Sequence, residues 1–149
     1  MTLDNARKIL KISGILLMIG ALVSVVFGVG IAAGFGYATA NMPEMQSNPE
    51  YVKGGIIVTI AGILTAISGV IHFLQGFFSL RASGNDASGK NTYNFSIVDL
   101  IATAITACTT ILGKNVTKAS IIGSVLGVVV SILVLFAAKT VKDHYKAES

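Results

Sequence analysis

Charge is scarce in this chain. Of its 149 residues only 12% are Asp, Glu, Lys or Arg, 53% are apolar, and the mean hydropathy is +0.77. A water-soluble domain carries about 25% charged residues to cover its outside, so this chain needs a solvent other than water. Its length suits one domain and is too short for two. Cysteine is nearly absent as well: Cys108 stands alone, which excludes an intramolecular disulfide and a cysteine-based metal centre. His72 and His144 are the only histidines, so a structural zinc site lacks its nitrogen and sulfur ligands. No Gly-rich phosphate loop, nucleophile elbow, metal-binding His-plus-acid spacing or paired carboxylates occur, so neither catalysis nor a cofactor is expected.

The net charge of +4 does not point to nucleic acid. Arg7, Lys8 and Lys11 precede the first apolar run and Lys139, Lys142 and Lys146 follow the last, which places charge at membrane borders, not on a basic face with interleaved aromatics. What the chain has in quantity is apolar sequence. Residues 12–43, 54–80, 95–113 and 119–138 lack charged side chains or nearly so, Asp99 being the exception in the third. Each reaches the roughly 20 residues that cross about 30 Å of hydrocarbon. Backbone groups in lipid must be satisfied within the segment, so all four are expected to be helices. The expectation is an all-α integral membrane four-helix bundle with short loops in one transmembrane domain, its helices near 9–36, 49–80, 95–113 and 118–142.

The first run has a basic start and an Ala38-Thr39-Ala40 sequence that mimics a cleavage site. A cleavable apolar region is about 7–15 residues long, whereas residues 12–33 already make 22; the run reads as a retained helix that loosens near Gly34-Phe35-Gly36. Asn48-Pro49-Glu50 places a cap, a first-turn proline and a first-turn acid in order. Asn94 can cap the third helix and Thr117 the fourth. The Gly-, Ser- and Asn-rich stretch 81–94 reads as a flexible, solvated loop, and 114–118 as a tight hairpin between antiparallel helices. With the N-terminus inside, the cytoplasmic segments hold Arg7, Lys8, Lys11, Arg81, Lys90, Lys139, Lys142 and Lys146 against Lys53, Lys114 and Lys118 outside. This asymmetry predicts both termini in the cytoplasm. A multi-pass protein of a plasma membrane follows, and the absence of disulfides together with simple loops suits a bacterial one.

Five stripes of small or polar residues organise the helices. The second carries Gly55, Gly62, Gly69 and Gly76 at every seventh position, a smooth seam where another backbone can approach. Gly14, Ala21, Ser24 and Gly28 make a similar seam on the first, and the two are expected to pack together. In the fourth, Gly123, Gly127 and Ser131 form a small-xxx-small row that resembles the glycophorin-type dimerisation motif over a short stretch; contact with a helix of the same chain and contact with a second copy both suit it. Ser96, Asp99, Thr103, Thr106 and Thr110 form a polar stripe on the third helix, with Cys108 opposite as a packing residue. Thr65, Ser68, His72, Gln75 and Ser79 form another on the second. A polar stripe in hydrocarbon should face protein or water.

His72 and Asp99 are the only ionisable side chains inside the four segments. Their depths nearly match, so they are the candidate pair of an intramembrane polar network with Gln75, Ser68, Thr103 and Thr106. Such a pair could share a proton or bind a cation; the bland alternative is that Asp99 reaches toward the headgroups while His72 and Gln75 hydrogen-bond across the bundle. The first reading of function is a non-catalytic membrane protein: an assembly, accessory, regulatory or protective subunit, surrounded by lipid and bound to a second copy or a larger membrane partner. The second is a small proton or cation channel or transporter using the polar stripes. The 41–53 loop is too short for a claudin-like sheet and lacks tetraspanin-like cysteines, and the first helix lacks the acid of small multidrug transporters.

Overall fold

The computed structural model describes residues 1–112 and 117–148, and almost every one of them is helical. The order is α1 (Leu3–Asn41), the single turn α2 (Pro43–Gln46), α3 (Pro49–Gly84), a 3-10 turn (Asp86–Ser88), α4 (Gly89–Leu112) and α5 (Lys118–Glu148). Among the described residues three helices are long and apolar enough to cross a membrane: α1, α3 and the Ile121–Ala147 part of α5. The chain divides into two compact units, Met1–Leu17 with Leu74–Ser149, and Met18–Phe73.

Several boundaries differ from the sequence reading. Helix α1 does not loosen at Gly34-Phe35-Gly36 but continues to Asn41. A glycine costs a helix about 1 kcal/mol relative to alanine, too little to break a ladder supported on both sides. Side chains reinforce the last turns: Thr39 Oγ1 donates to Phe35 O at 2.7 Å and Asn41 Nδ2 to Tyr37 O at 3.0 Å. Helix α3 starts as expected, with Asn48 Oδ1 accepting from the Glu50 N–H at 3.0 Å and Pro49 in the first position, where its missing N–H costs nothing. The stretch 81–94 is not a flexible loop. Helix α3 runs on to Gly84, Asn85 caps the 3-10 turn by accepting from the Ala87 N–H, and α4 begins at Gly89. Asn94 therefore lies inside α4, exposed, and caps nothing. Thr117 directly precedes α5, and its carbonyl accepts from the Ile121 N–H. Most of the hairpin expected at 114–118, with Lys114 and the Thr110 side chain, lies outside the described residues.

No described residue has a positive φ, so the glycines of these helices serve through their missing side chains. In the second unit α1 and α3 run antiparallel with their backbones nearly touching. A Cβ built on Gly28 would lie 2.5 Å from Ala66 N and 2.7 Å from Gly62 O; one on Gly62 would lie 2.7 Å from Ala32 N; one on Gly69 would lie 2.9 Å from Ala21 O. Gly55 abuts Thr39 in the same way. In the first unit a Cβ built on Gly14 would lie 2.8 Å from Gly76 O. On the far face of α1, a Cβ built on Gly20, Gly30 or Gly34 would meet no described residue within 4 Å beyond its own stretch of helix.

The first unit holds the buried apolar cluster: Ala6 and Leu10 of α1, Ala82 of α3, and Val134, Ala137, Ala138 and Val141 of α5. Its small residues let the helices close tightly. Elsewhere large apolar side chains such as Ile12, Leu16, Leu22, Val26, Phe27, Ile57, Leu64 and Leu126 lie on the outside, the reverse of a water-soluble fold and the surface expected of a chain in lipid.

Because the Gly62 contact is with backbone, it cannot yield. Gly62→Val should cost about 1–3 kcal/mol or more, read as the midpoint of detergent-induced unfolding, whereas Gly34→Ala should raise that midpoint slightly. Equal effects of the two substitutions would contradict this packing.

Candidate functional site

Polar groups gather at two places in the first unit. The first lies between α4 and α5, which pack antiparallel. Asp99, on the third turn of α4, is 2% exposed. Ser131 Oγ on α5 donates to Asp99 Oδ2 at 2.7 Å and lies 3.4 Å from Thr103 Oγ1. Gly127, one turn earlier on α5, lets Thr103 approach: a Cβ there would sit 3.4 Å from Thr103 Cγ2. Thus Gly127 and Ser131 of the small-residue row face α4, while Gly123 is exposed and a Cβ built on it would meet no described residue within 4 Å beyond its own stretch of helix. Further along α4, Ser96 Oγ donates to Thr92 O, and Thr92 Oγ1 donates to Ser88 O and to Phe78 O of α3 at 2.9 Å. The Phe78 and Phe95 rings stack at 5.0 Å beside them.

The polar stripes are only partly interior. On α4 Ser96 and Asp99 are buried and Thr103 half-buried, but Thr106 is exposed and donates to Ala102 O of its own helix. Cys108, expected to pack, is exposed. On α3 Gln75 and Ser79 are fully buried in the first unit. His72, half-buried, and Ser68 and Thr65, exposed, belong to the second unit, where α1 covers one face of α3. A hydroxyl in an apolar setting can return its proton to the helix, as Thr65 does to Ala61 O at 2.8 Å. The glycines Gly14, Gly28, Gly55, Gly62, Gly69 and Gly76 sit at the close approaches described above, and each carries shape, not chemistry.

The second gathering is one that sequence reasoning missed. Asp86, in the 3-10 turn, accepts from Arg7 of α1 through three short contacts: Nη2 lies 2.8 Å from both carboxylate oxygens and Nε 3.2 Å from Oδ1. On the other side His144 Nδ1 of α5 lies 3.2 Å from Asp86 Oδ2. Nearby, Lys142 Nζ sits 3.7 Å from the centroid of the Tyr93 ring, a cation–π contact. Gly89 makes room for this junction, since a Cβ on it would lie 2.8 Å from Lys142 N. The start of α1, the α3–α4 connection and the end of α5 are thereby held at one point. The available signal was Asp86 itself, a lone acid in a stretch bounded by Arg81 and Lys90.

Neither place gathers metal ligands: among the described residues no group of three His, Cys, Asp or Glu could hold a metal ion. Both are arrangements that tie helices together.

Two outcomes follow. Ser131→Ala removes the hydroxyl donor from a buried carboxylate oxygen and should cost about 1–3 kcal/mol, measured as an unfolding midpoint; an unchanged midpoint would remove the hydrogen bond from any stabilising role. An Arg7→Gln, Asp86→Asn double-mutant cycle should give a coupling of about 1 kcal/mol that shrinks in high salt, and additive effects would deny the clasp. Comparison with protein-family models, curated proteins and solved structures finds no match to this chain.

Proposed function

We propose that this chain is a small multi-pass membrane protein of non-catalytic type that works by assembly, as an accessory, regulatory or protective subunit. In this reading all four long helices cross the plasma membrane of a bacterial cell, with both termini in the cytoplasm. The clasp on Asp86 supports the crossing number. Arg7, Asp86 and His144 can meet only if the N-terminal segment, the α3–α4 connection and the C-terminal segment lie on one side. Were α4 to lie along the surface, the single crossing by α5 would carry His144 away from Asp86. The lysines and arginines around that junction suit the cytoplasmic side.

The observation that carries the assembly reading is the second glycine face of α1. Gly28 is needed because the α3 backbone passes over it, whereas a Cβ on Gly30 or Gly34 would meet no described residue within 4 Å beyond its own stretch of helix. With Ala38 they floor an apolar groove of about 420 Å³ walled by Val26, Phe27, Ile31 and Phe35. Helix-interior glycine is unfavourable by about 1 kcal/mol, and in membranes such notches serve close helix–helix packing. The interior polar groups fit this reading too, because Asp99 is engaged by Ser131 across two helices.

The test is capture of intact complexes from native membranes with Gly30→Leu, Gly34→Leu and Asp99→Asn variants. The glycine variants should lose a co-purifying partner or a second copy while folding normally, and Asp99→Asn should retain it. The reading fails if the glycine variants assemble like the parent chain. Proton or cation flux in liposomes that Asp99→Asn abolishes would replace it with the channel or transporter alternative.

A further inference from the structure

Gln75 and Ser79 lie one helical turn apart on the same face of α3, both fully buried. At that spacing two side chains are neighbours. Among the described residues the Gln75 amide nitrogen, the Gln75 amide oxygen and the Ser79 hydroxyl have no hydrogen-bond partner. A buried amide and a buried hydroxyl with nothing to bond to are a steep cost in any protein interior, and steeper in hydrocarbon.

Their position within the unit follows from the contacts between α3 and α4. Thr92 Oγ1 bonds Phe78 O, and the Phe78 ring stacks on Phe95. The short connection through Asp86–Ser88 makes the two helices antiparallel. One turn back from Phe78 on α3 therefore corresponds to one turn on from Phe95 on α4. Gln75 lies at the level of Ser96 and Asp99, and Ser79 at the level of Thr92. Every α4 residue just named except the Phe is buried and polar. Ser96 and Thr92 have already given their protons to backbone carbonyls, but each hydroxyl oxygen keeps lone pairs able to accept.

We propose that α3 and α4 of this unit enclose an internal water site lined by Gln75 and Ser79. The donor and acceptor balance selects the ligand. A bare cation could satisfy the Gln75 oxygen and the Ser79 hydroxyl oxygen but cannot itself accept from the Gln75 N–H groups, which would then need a second ligand. Water accepts from Nε2, donates to Oε1 and exchanges either role with Ser79, which meets the two to four polar partners a buried water takes. The site brings water to the depth of Asp99 without requiring a continuous channel, and it is independent of whether the protein acts in assembly or transport.

The chain has two glutamines, Gln46 and Gln75. Selective ¹⁵N-glutamine labelling of the full chain in lipid bilayers therefore gives two side-chain amide signals, and exposed Gln46 serves as the hydrated reference. In water-edited solid-state NMR, the Gln75 amide should receive magnetisation from water at a rate within a few-fold of Gln46. Gln75→Met assigns the signal by removing it. Ser79→Ala should slow transfer to Gln75 several-fold, because the water loses one of its holders. Transfer that reaches Gln75 only on the slow timescale of neighbouring aliphatic protons overturns the proposal. So does transfer that Ser79→Ala leaves unchanged, since the water then is not held at this place.

Discussion

With so few charges available, the carboxylate of Asp86 does a disproportionate share of the organising. Helices made of Ile, Val, Leu, Gly and Ala slide easily past one another, because each turn of such a surface resembles the next. Their register needs a directional contact. Arg7 grips Asp86 through both carboxylate oxygens and His144 approaches from α5, so one side chain sets the relative heights of three segments of the first unit. The buried cluster of Ala6, Leu10, Ala82 and Val134 to Val141 then fills the space those segments leave. Asp99 with Ser131 repeats the same device further along, between α4 and α5 only.

Two kinds of close approach divide the remaining work. Where α1 and α3 meet, attraction comes from backbone-to-backbone packing, and the absence of a Cβ is the recognition element. Where α3, α4 and α5 meet, hydroxyl and carboxyl groups provide direction. Glycine contacts depend on shape and tolerate no added volume, while polar contacts depend on donors matching acceptors and tolerate no deletion. A chain built from both is sensitive to opposite kinds of substitution at different heights.

Much of the helical framework was legible because apolar length is a direct physical requirement. Asn48-Pro49-Glu50 and Thr117 marked two helix starts through local backbone needs, and those lie where the residues placed them. The connection at 81–94 was misread because glycine, serine and asparagine favour loops only when nothing else holds them. Here the Asp86 contact with a residue 79 positions away holds them, and no local pattern encodes a partner so distant. The polar stripes were visible as spacing, yet spacing names a face and not what covers it. Ser96 and Asp99 are covered; Thr106 and Cys108, two turns on, are exposed.

The clasp has an order along the chain as well as a place. Arg7 and Asp86 both precede α4 and α5 in the chain, so their contact is made from residues that need neither of those helices. His144 lies in the last turns of α5. The first two members can therefore pair without the third, which α5 brings from the other end of the chain. The contact that registers these helices is thus divided between a pair drawn from the first part of the chain and a third member that only the last helix supplies.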